Sequence, residues 1–131
     1  MKSKKRTHET VLVLDKGEEV VSTLAAFAKQ NQITSAHFTG MGAFSDARIG
    51  YFDVLKKDYF NDRVNGHLDV LSLIGDIVFD NDEPTVQAHV VVGMKNGAAT
   101  GGRLLEAHVL PTLELVLQDE GTVGRSSRIG R

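Results

Sequence analysis

The sequence predicts an α+β domain, a mainly antiparallel β-sheet packed with one long α-helix, and three observations carry that prediction. A single segment, Glu18 to Gln30, places its apolar residues at helical spacing. Most other apolar residues fall in short runs that alternate with polar ones or are bounded by turn residues, as strands with one buried face do. Asn65-Gly66 and Asn96-Gly97, both tight-turn signals, separate several of these runs and favour antiparallel neighbours. A chain of 131 residues suits one core and is short for two.

Taken in order, Glu9 to Asp15 reads as a strand. In the helix, Val20, Val21, Leu24, Phe27 and Ala28 form the apolar face, Glu18 and Glu19 fall in the first turn where the macrodipole favours negative charge, and Asn31 is the expected cap. Ile33 to Phe38 reads as a strand running into Thr39-Gly40-Met41-Gly42-Ala43, whose glycines argue against a regular ladder. Ala47 to Val54 alternates, and Lys56 to Phe60 extends it or pairs with it. After the turn at Asn65-Gly66, Leu68, Val70 and Ser72 take one face and His67, Asp69, Leu71 and Leu73 the other. Asp76 to Phe79 precedes a polar turn, Asp80 to Pro84. Val86, Ala88, Val90 and Val92 form the apolar face of the next strand. A return strand follows near Arg103–Val109, then a last strand, Thr112 to Gln118, with Leu113, Leu115 and Leu117 on one side.

Hydrophobic residues at 41% and charged residues at 24% exclude a disordered chain. No apolar run approaches the roughly 18 residues of a membrane helix. The basic start leads only into Val11-Leu12-Val13-Leu14 with no small-residue cleavage pattern, so it does not read as a signal peptide. Without cysteine there are no disulfides, thiolate ligands or cysteine nucleophiles, and the expected location is cytoplasmic. The net charge of −2 conceals a division. Lys2, Lys4, Lys5, Arg6, Arg125, Arg128 and Arg131 place seven of 15 basic residues in two terminal eight-residue segments that contain no acid. Residues 9–123 carry the other 8 basic residues against 17 acidic ones, a net −9. Such a body repels phosphate, so any DNA affinity is expected from the tails, 1–8 and 124–131, which read as flexible basic ends.

Several segments together resemble the PPC domain, the plants and prokaryotes conserved domain, over roughly residues 9–120. They are Gly40-Met41-Gly42-Ala43-Phe44-Ser45-Asp46-Ala47 with Gly50-Tyr51-Phe52, Gly66-His67-Leu68-Asp69-Val70-Leu71-Ser72-Leu73-Ile74-Gly75, Ala88-His89-Val90, and Gly101-Gly102-Arg103-Leu104-Leu105-Glu106-Ala107. The resemblance implies an antiparallel sheet against a helix, a fold similar to that of acetolactate decarboxylase, a stand-alone prokaryotic domain and a homotrimer. It also implies a partner segment, which in plant members reads Gly-Arg-Phe-Glu-Ile-Leu and here reads Gly66, His67, Leu68, Asp69, Val70, Leu71, with histidine for the arginine and leucine for the phenylalanine. Finally, it implies a metal pattern of His-x-His on one strand and Gly-Gly-His on the next. This chain has Gln87-Ala88-His89 and Gly101-Gly102-Arg103 there. One ligand of three remains, because an amide binds zinc poorly and a guanidinium not at all, so no zinc or other cofactor is expected.

The residues standing in its place, Gln87, His89 and Arg103, suit an anion. Their meeting depends on register. A two-residue Asn96-Gly97 turn sets Arg103 opposite Val90, on the wrong face, whereas a one-residue bulge at Gly101-Gly102 sets it opposite His89. Otherwise Arg103 pairs with Glu106 or another acid. His108 faces away from Arg103 unless a bulge intervenes, and His37 either lines the same cleft or is simply hydrogen-bonded. The glycine-rich Gly40-Met41-Gly42 precedes no helix and is not a dinucleotide phosphate loop. The expected function is a non-enzymatic regulatory or binding protein, DNA-associated by family; the alternative is a small-anion binder or degenerate lyase-like enzyme using Gln87, His89 and Arg103.

Overall fold

A computed structural model describes residues 9–121. Strand β1 (Glu9–Asp15) leads into helix α1 (Val20–Gln30), followed by β2 (Ser35–Asp53), β3 (Asp58–Asp80), β4 (Glu83–Gly93) and β5 (Ala99–Gly121). The strands lie in the order β1-β5-β2-β3-β4 and pair antiparallel throughout. β4 also pairs with the start of β5, so the sheet closes on itself. Inside sit Phe38, Phe44, Leu68, Leu73, Ile77, Val90, Val92 and Leu113, Leu115 and Leu117, against Val20, Leu24 and Ala28 of the helix.

The α+β class holds, but the helix is short rather than long. Glu18 and Glu19 stand outside it, and its first turn contains no acid. Before the helix, Gly17 donates its N–H to the Val109 carbonyl (2.8 Å) and Val109 donates to the Glu18 carbonyl (3.0 Å), so these residues extend the sheet. Glu19 is the N-cap. Its carboxylate accepts the N–H groups of Val21 (3.1 Å) and Ser22 (2.7 Å), which the helix leaves unpaired, and that of Ala107 on β5 (2.9 Å). Asn31 caps the other end, as expected.

Three sets of expected strands are single strands, β2, β3 and β5. The glycine-rich stretch is not a break but the middle of β2, in regular register with β5 from Thr39 to Gly42 and paired with β3 with shifts between Thr39 and Gly42 and between Phe44 and Asp46. Gly42 explains the glycine there. Its φ is +150°, and a Cβ would stand 2.3 Å from the Thr112 carbonyl oxygen. Likewise the runs near Arg103–Val109 and Thr112–Gln118 are both β5, with the register against β2 shifting between them.

Asn65-Gly66 is not a turn. Asp46 pairs with Asn65 and Phe44 with Leu68, so β3 spends one extra residue there, a bulge with Gly66 at φ 113°. The β2–β3 turn lies at 54–57, where Asp53 Oδ1 accepts the N–H groups of Leu55 (3.0 Å) and Lys56 (3.2 Å). A second bulge at Leu71 resets the alternation, because Val70 pairs with Val92 and Ser72 with Val91. Leu68, Val70 and Leu73 are therefore buried together while Leu71 and Ser72 face out. The next turn is tight, with Asn81 and Asp82 both at positive φ between paired Asp80 and Glu83.

Gly42→Ala is expected to cost more than about 2 kcal/mol in urea unfolding, since it adds an atomic overlap to an unfavourable φ. Gly66→Ala, with nothing within 4 Å of the added Cβ, should cost about 1 kcal/mol. Equal losses would refute the close approach of β5 as the reason for Gly42.

Candidate functional site

Alternation along β4 buries Ala88, Val90 and Val92 and turns Gln87, His89 and Val91 outward. Arg103 pairs directly with His89. The register that brings them together comes from the turn and not from Gly101-Gly102, which pair regularly with Val91 and Val90. Gly97 donates its N–H to the Met94 carbonyl (2.9 Å), Met94 donates to the Ala98 carbonyl (2.8 Å), and Gly97 takes φ 90°. This is a three-residue loop, Lys95 to Gly97, whose last residue is the bulge. Asn96 Oδ1 secures it by accepting the Ala98 N–H (2.9 Å).

Gln87, His89 and Arg103 are all exposed, on an open sheet face and not in a cleft. The face continues across β3 and β2, where Ile74 pairs with His89, Asp76 with Gln87, and His37 with Asp76. His37 thus shares the face with Gln87 at two strands' distance. Its Nδ1 lies 2.6 Å from Asp76 Oδ1 and its Nε2 3.3 Å from Glu120 Oε2. A pocket at the base of the β2–β3 hairpin, lined by Ile49, Tyr51, Asp62, Val64, Thr100 and Gly101, includes none of the expected site residues.

Glu106 does not take Arg103 as its partner. It receives Arg63 Nη2 (3.1 Å) and Arg48 Nε (3.4 Å). Arg63 also donates through Nη1 to Asp46, whose other oxygen lies 2.9 Å from His108 Nδ1. The result is a chain of five groups, Arg48, Glu106, Arg63, Asp46 and His108, spread over β2, β3 and β5. The hydrogen bond from Arg63, then that from Arg48, holds the Glu106 carboxyl below its ordinary pKa. A bulge at Leu105 places His108 on the Arg103 side, since Ile49 pairs with Leu104 but Arg48 with Glu106. Sequence reading missed this cluster. Its signal was the i, i+2 spacing of Asp46 with Arg48 and of Glu106 with His108, which becomes a network only through the β2–β5 register.

Of the expected partner segment, Leu68 and Val70 are core residues. Gly66, His67, Asp69 and Leu71 remain outward, with His67 Nε2 2.8 Å from Asp69 Oδ1. The tail cations Lys2, Lys4, Lys5, Arg6, Arg125, Arg128 and Arg131 lie outside the described residues.

Residues 1–120 match the family model of the Plants and Prokaryotes Conserved (PCC) domain, abbreviated PPC above. The chain belongs to this family. Solved structures agree with its fold. A candidate DNA-binding protein from Bacteroides thetaiotaomicron is 26% identical, with a TM-score of 0.84 over 91% of this chain and 83% of that one. A plant- and prokaryote-conserved protein from Pyrococcus horikoshii is 30% identical, with a TM-score of 0.81 over 90% and 82%. A metal-containing protein from Archaeoglobus fulgidus is 32% identical, with a TM-score of 0.79 over 87% and 81%. A Staphylococcus aureus protein similar to α-acetolactate decarboxylase shares the fold at 11% identity and a TM-score of 0.60, over 88% of this chain and 53% of that one. Among curated proteins none matches.

The His-x-His and Gly-Gly-His pattern that the sequence resemblance implied does not fit the residues present, Gln87-Ala88-His89 and Gly101-Gly102-Arg103. The paired strands offer one imidazole, one amide and one guanidinium, and the guanidinium stays charged. Among the described residues, no group of three or more histidines and acids is arranged to hold a metal ion.

The pKa direction of Glu106 has a consequence for stability. A depressed carboxylate pKa stabilises the fold fully above the ordinary value of 4.5, and that contribution is lost as pH falls through the lower folded-state value. Glu106→Gln should therefore lower the urea midpoint at pH 7, by a small amount that high salt reduces further. Well below the carboxylate range the two proteins should unfold together. A constant difference across that range would mean that the effect of Glu106 is not its charge.

Proposed function

We propose that this PPC-family chain is a non-enzymatic binding module, assembled as a homotrimer, that associates with DNA without sequence preference through its terminal segments. The observation that carries the reading is the division of charge, seven cations and no acid in the two terminal segments against −9 on the remainder. Phosphate is attracted to the first and repelled by the second. The likeness to a candidate DNA-binding protein from Bacteroides thetaiotaomicron supports it. Assembly is supported by an apolar outer sheet face. Val11 pairs with Val116, Val116 with Thr39, and Thr39 with Ile74. Val11, Ile74 and the neighbouring Met41 are more than half exposed. Contiguous apolar surface of this kind is normally covered. The glycine-rich segment and residues 98–109 are expected near the interfaces.

Sedimentation of the 14.3 kDa chain, alone and with a short duplex, tests both parts. The expected results are a trimer mass at micromolar concentration and DNA binding that weakens at least about tenfold between 50 and 200 mM salt. Binding should vanish when residues 1–7 and 124–131 are removed. A monomer overturns the assembly, and salt-insensitive binding by the truncated chain overturns the DNA reading.

The pairing of His89 with Arg103 favours a second reading for the other class of partner. Arg103 supplies two parallel donors, His89 an imidazole N–H and Gln87 an amide, a set that suits a carboxylate or phosphate. On this reading the wild-type chain takes up no stoichiometric zinc. The double change Gln87→His with Arg103→His rebuilds three imidazoles on adjacent strands and should create zinc affinity measurable by calorimetry. Tight zinc binding by the wild type overturns the anion reading; failure of the double variant to bind overturns the shared geometry.

A further inference from the structure

The last pair of the β2–β5 ladder is Gly50 with Arg103, and past it the β2–β3 hairpin runs on by itself. A cavity of about 50 Å³ lies where the strands part, at the mouth of the closed sheet. Alternation decides what lines it. Ala47 and Ile49 face the core, so Tyr51 and Asp53 continue that face, and their partners Val64, Asp62, Phe60 and Asp58 share it. Across the gap Thr100 pairs with buried Val92 and faces the same side. Ile49 and Val64 form an aliphatic floor with Asp62 beside it. The rings of Tyr51 and Phe60 come next along the hairpin, their centroids 4.3 Å apart. Asp53 and Asp58 end the row.

Every ionisable group in this row of paired residues that carries charge at neutral pH is a carboxylate. Asp62 is exposed, and its carboxylate takes part in no hydrogen bond or ion pair among the described residues. Asp53 and Asp58 stand directly opposite each other, an arrangement of like charges that repels unless a cation lies between them. Arg63, the neighbour of Asp62, falls on the other face with Arg48, where Glu106 holds both. Lys56 and Lys57 belong to the turn, past the last pair. Aromatic faces attract cations too. Four residues along β3, about 13 Å, separate Asp62 from the opposed pair, with the rings between. A single ammonium meets one end of this row. A chain of ammonium groups joined by methylenes meets both and lays its methylenes on the rings. We propose that the inner face of the β2–β3 hairpin binds an aliphatic polyamine, with one terminal ammonium at Asp62, the chain over Tyr51 and Phe60, and the other end between Asp53 and Asp58. The inference does not depend on the terminal segments, and it gives the −9 of the body a ligand of opposite charge.

Spermidine titrated into the full-length chain at low salt, followed by backbone amide NMR shifts, tests this. The expected result is saturable binding with shifts confined to residues 49–64 and 100–101. Asp62→Asn should weaken it at least about fivefold. Tyr51→Leu should weaken it about two- to fivefold and Tyr51→Phe should not, because the ring face is what the cation needs. Asp80→Asn removes the same charge from the far end of β3 and should leave binding unchanged. Putrescine, which is too short to meet both ends, should bind more weakly, and equal binding overturns the two-ended site. Equal losses from Asp62→Asn and Asp80→Asn, or shifts spread over the whole acidic surface, mean diffuse attraction of counter-ions and overturn the proposal, as does absence of binding. Tighter binding of a blocked trilysine peptide, which carries the same charge as spermidine, assigns the face to a basic peptide and overturns it as well.

Discussion

Strand β5 is the element against which the rest of the molecule is registered. Its 23 residues pair with β4 at Ala99–Arg103, with β2 over nearly their whole length, with the helix entry at Val109 and with β1 from Thr112 to Gln118. Within its pairing to β2, β5 carries extra residues at Leu105, between Val109 and Leu113, and at Glu120. Each shift decides which side chains face the core. Glu19 ties the helix to the same strand, because one carboxylate caps α1 and accepts the Ala107 N–H. Removing its charge would unsettle the helix start and the strand together.

The outward face divides into zones as a result. Toward the β2–β3 hairpin, Arg48, Arg63, Asp46, Glu106 and His108 satisfy one another. Toward the opposite end, His37 is held between carboxylates beside an apolar row. Gln87 and His89 lie on β4, and Arg103, opposite His89, stands across from Gly50 of β2. Arg103 is thus separated from the acid nearest in sequence, Glu106, because two other arginines hold that carboxylate. Register alone sets Arg103 opposite His89.

The buried residues of β4, Ala88, Val90 and Val92, answer to packing, while their outward neighbours answer to chemistry. Changing outward residues alters what the face can bind without disturbing the core.

By itself the sequence determined the class, the position of the helix, the core of β4 and the leucines of β5, because burial of one face writes a period into the chain that is legible locally. It also determined the separation of charge between body and ends. Where reading by period failed, a glycine or a bulge was responsible. Asn65-Gly66 has the composition of a turn but is a bulge within β3, and the extra residue at Leu71 exchanges Ser72 for Leu73 in the core. Local composition does not distinguish a turn from a bulge; the partner strand does. The network around Glu106 and the pairing of His89 with Arg103 were decided only by tertiary structure, since each joins residues far apart in sequence through registers set between strands.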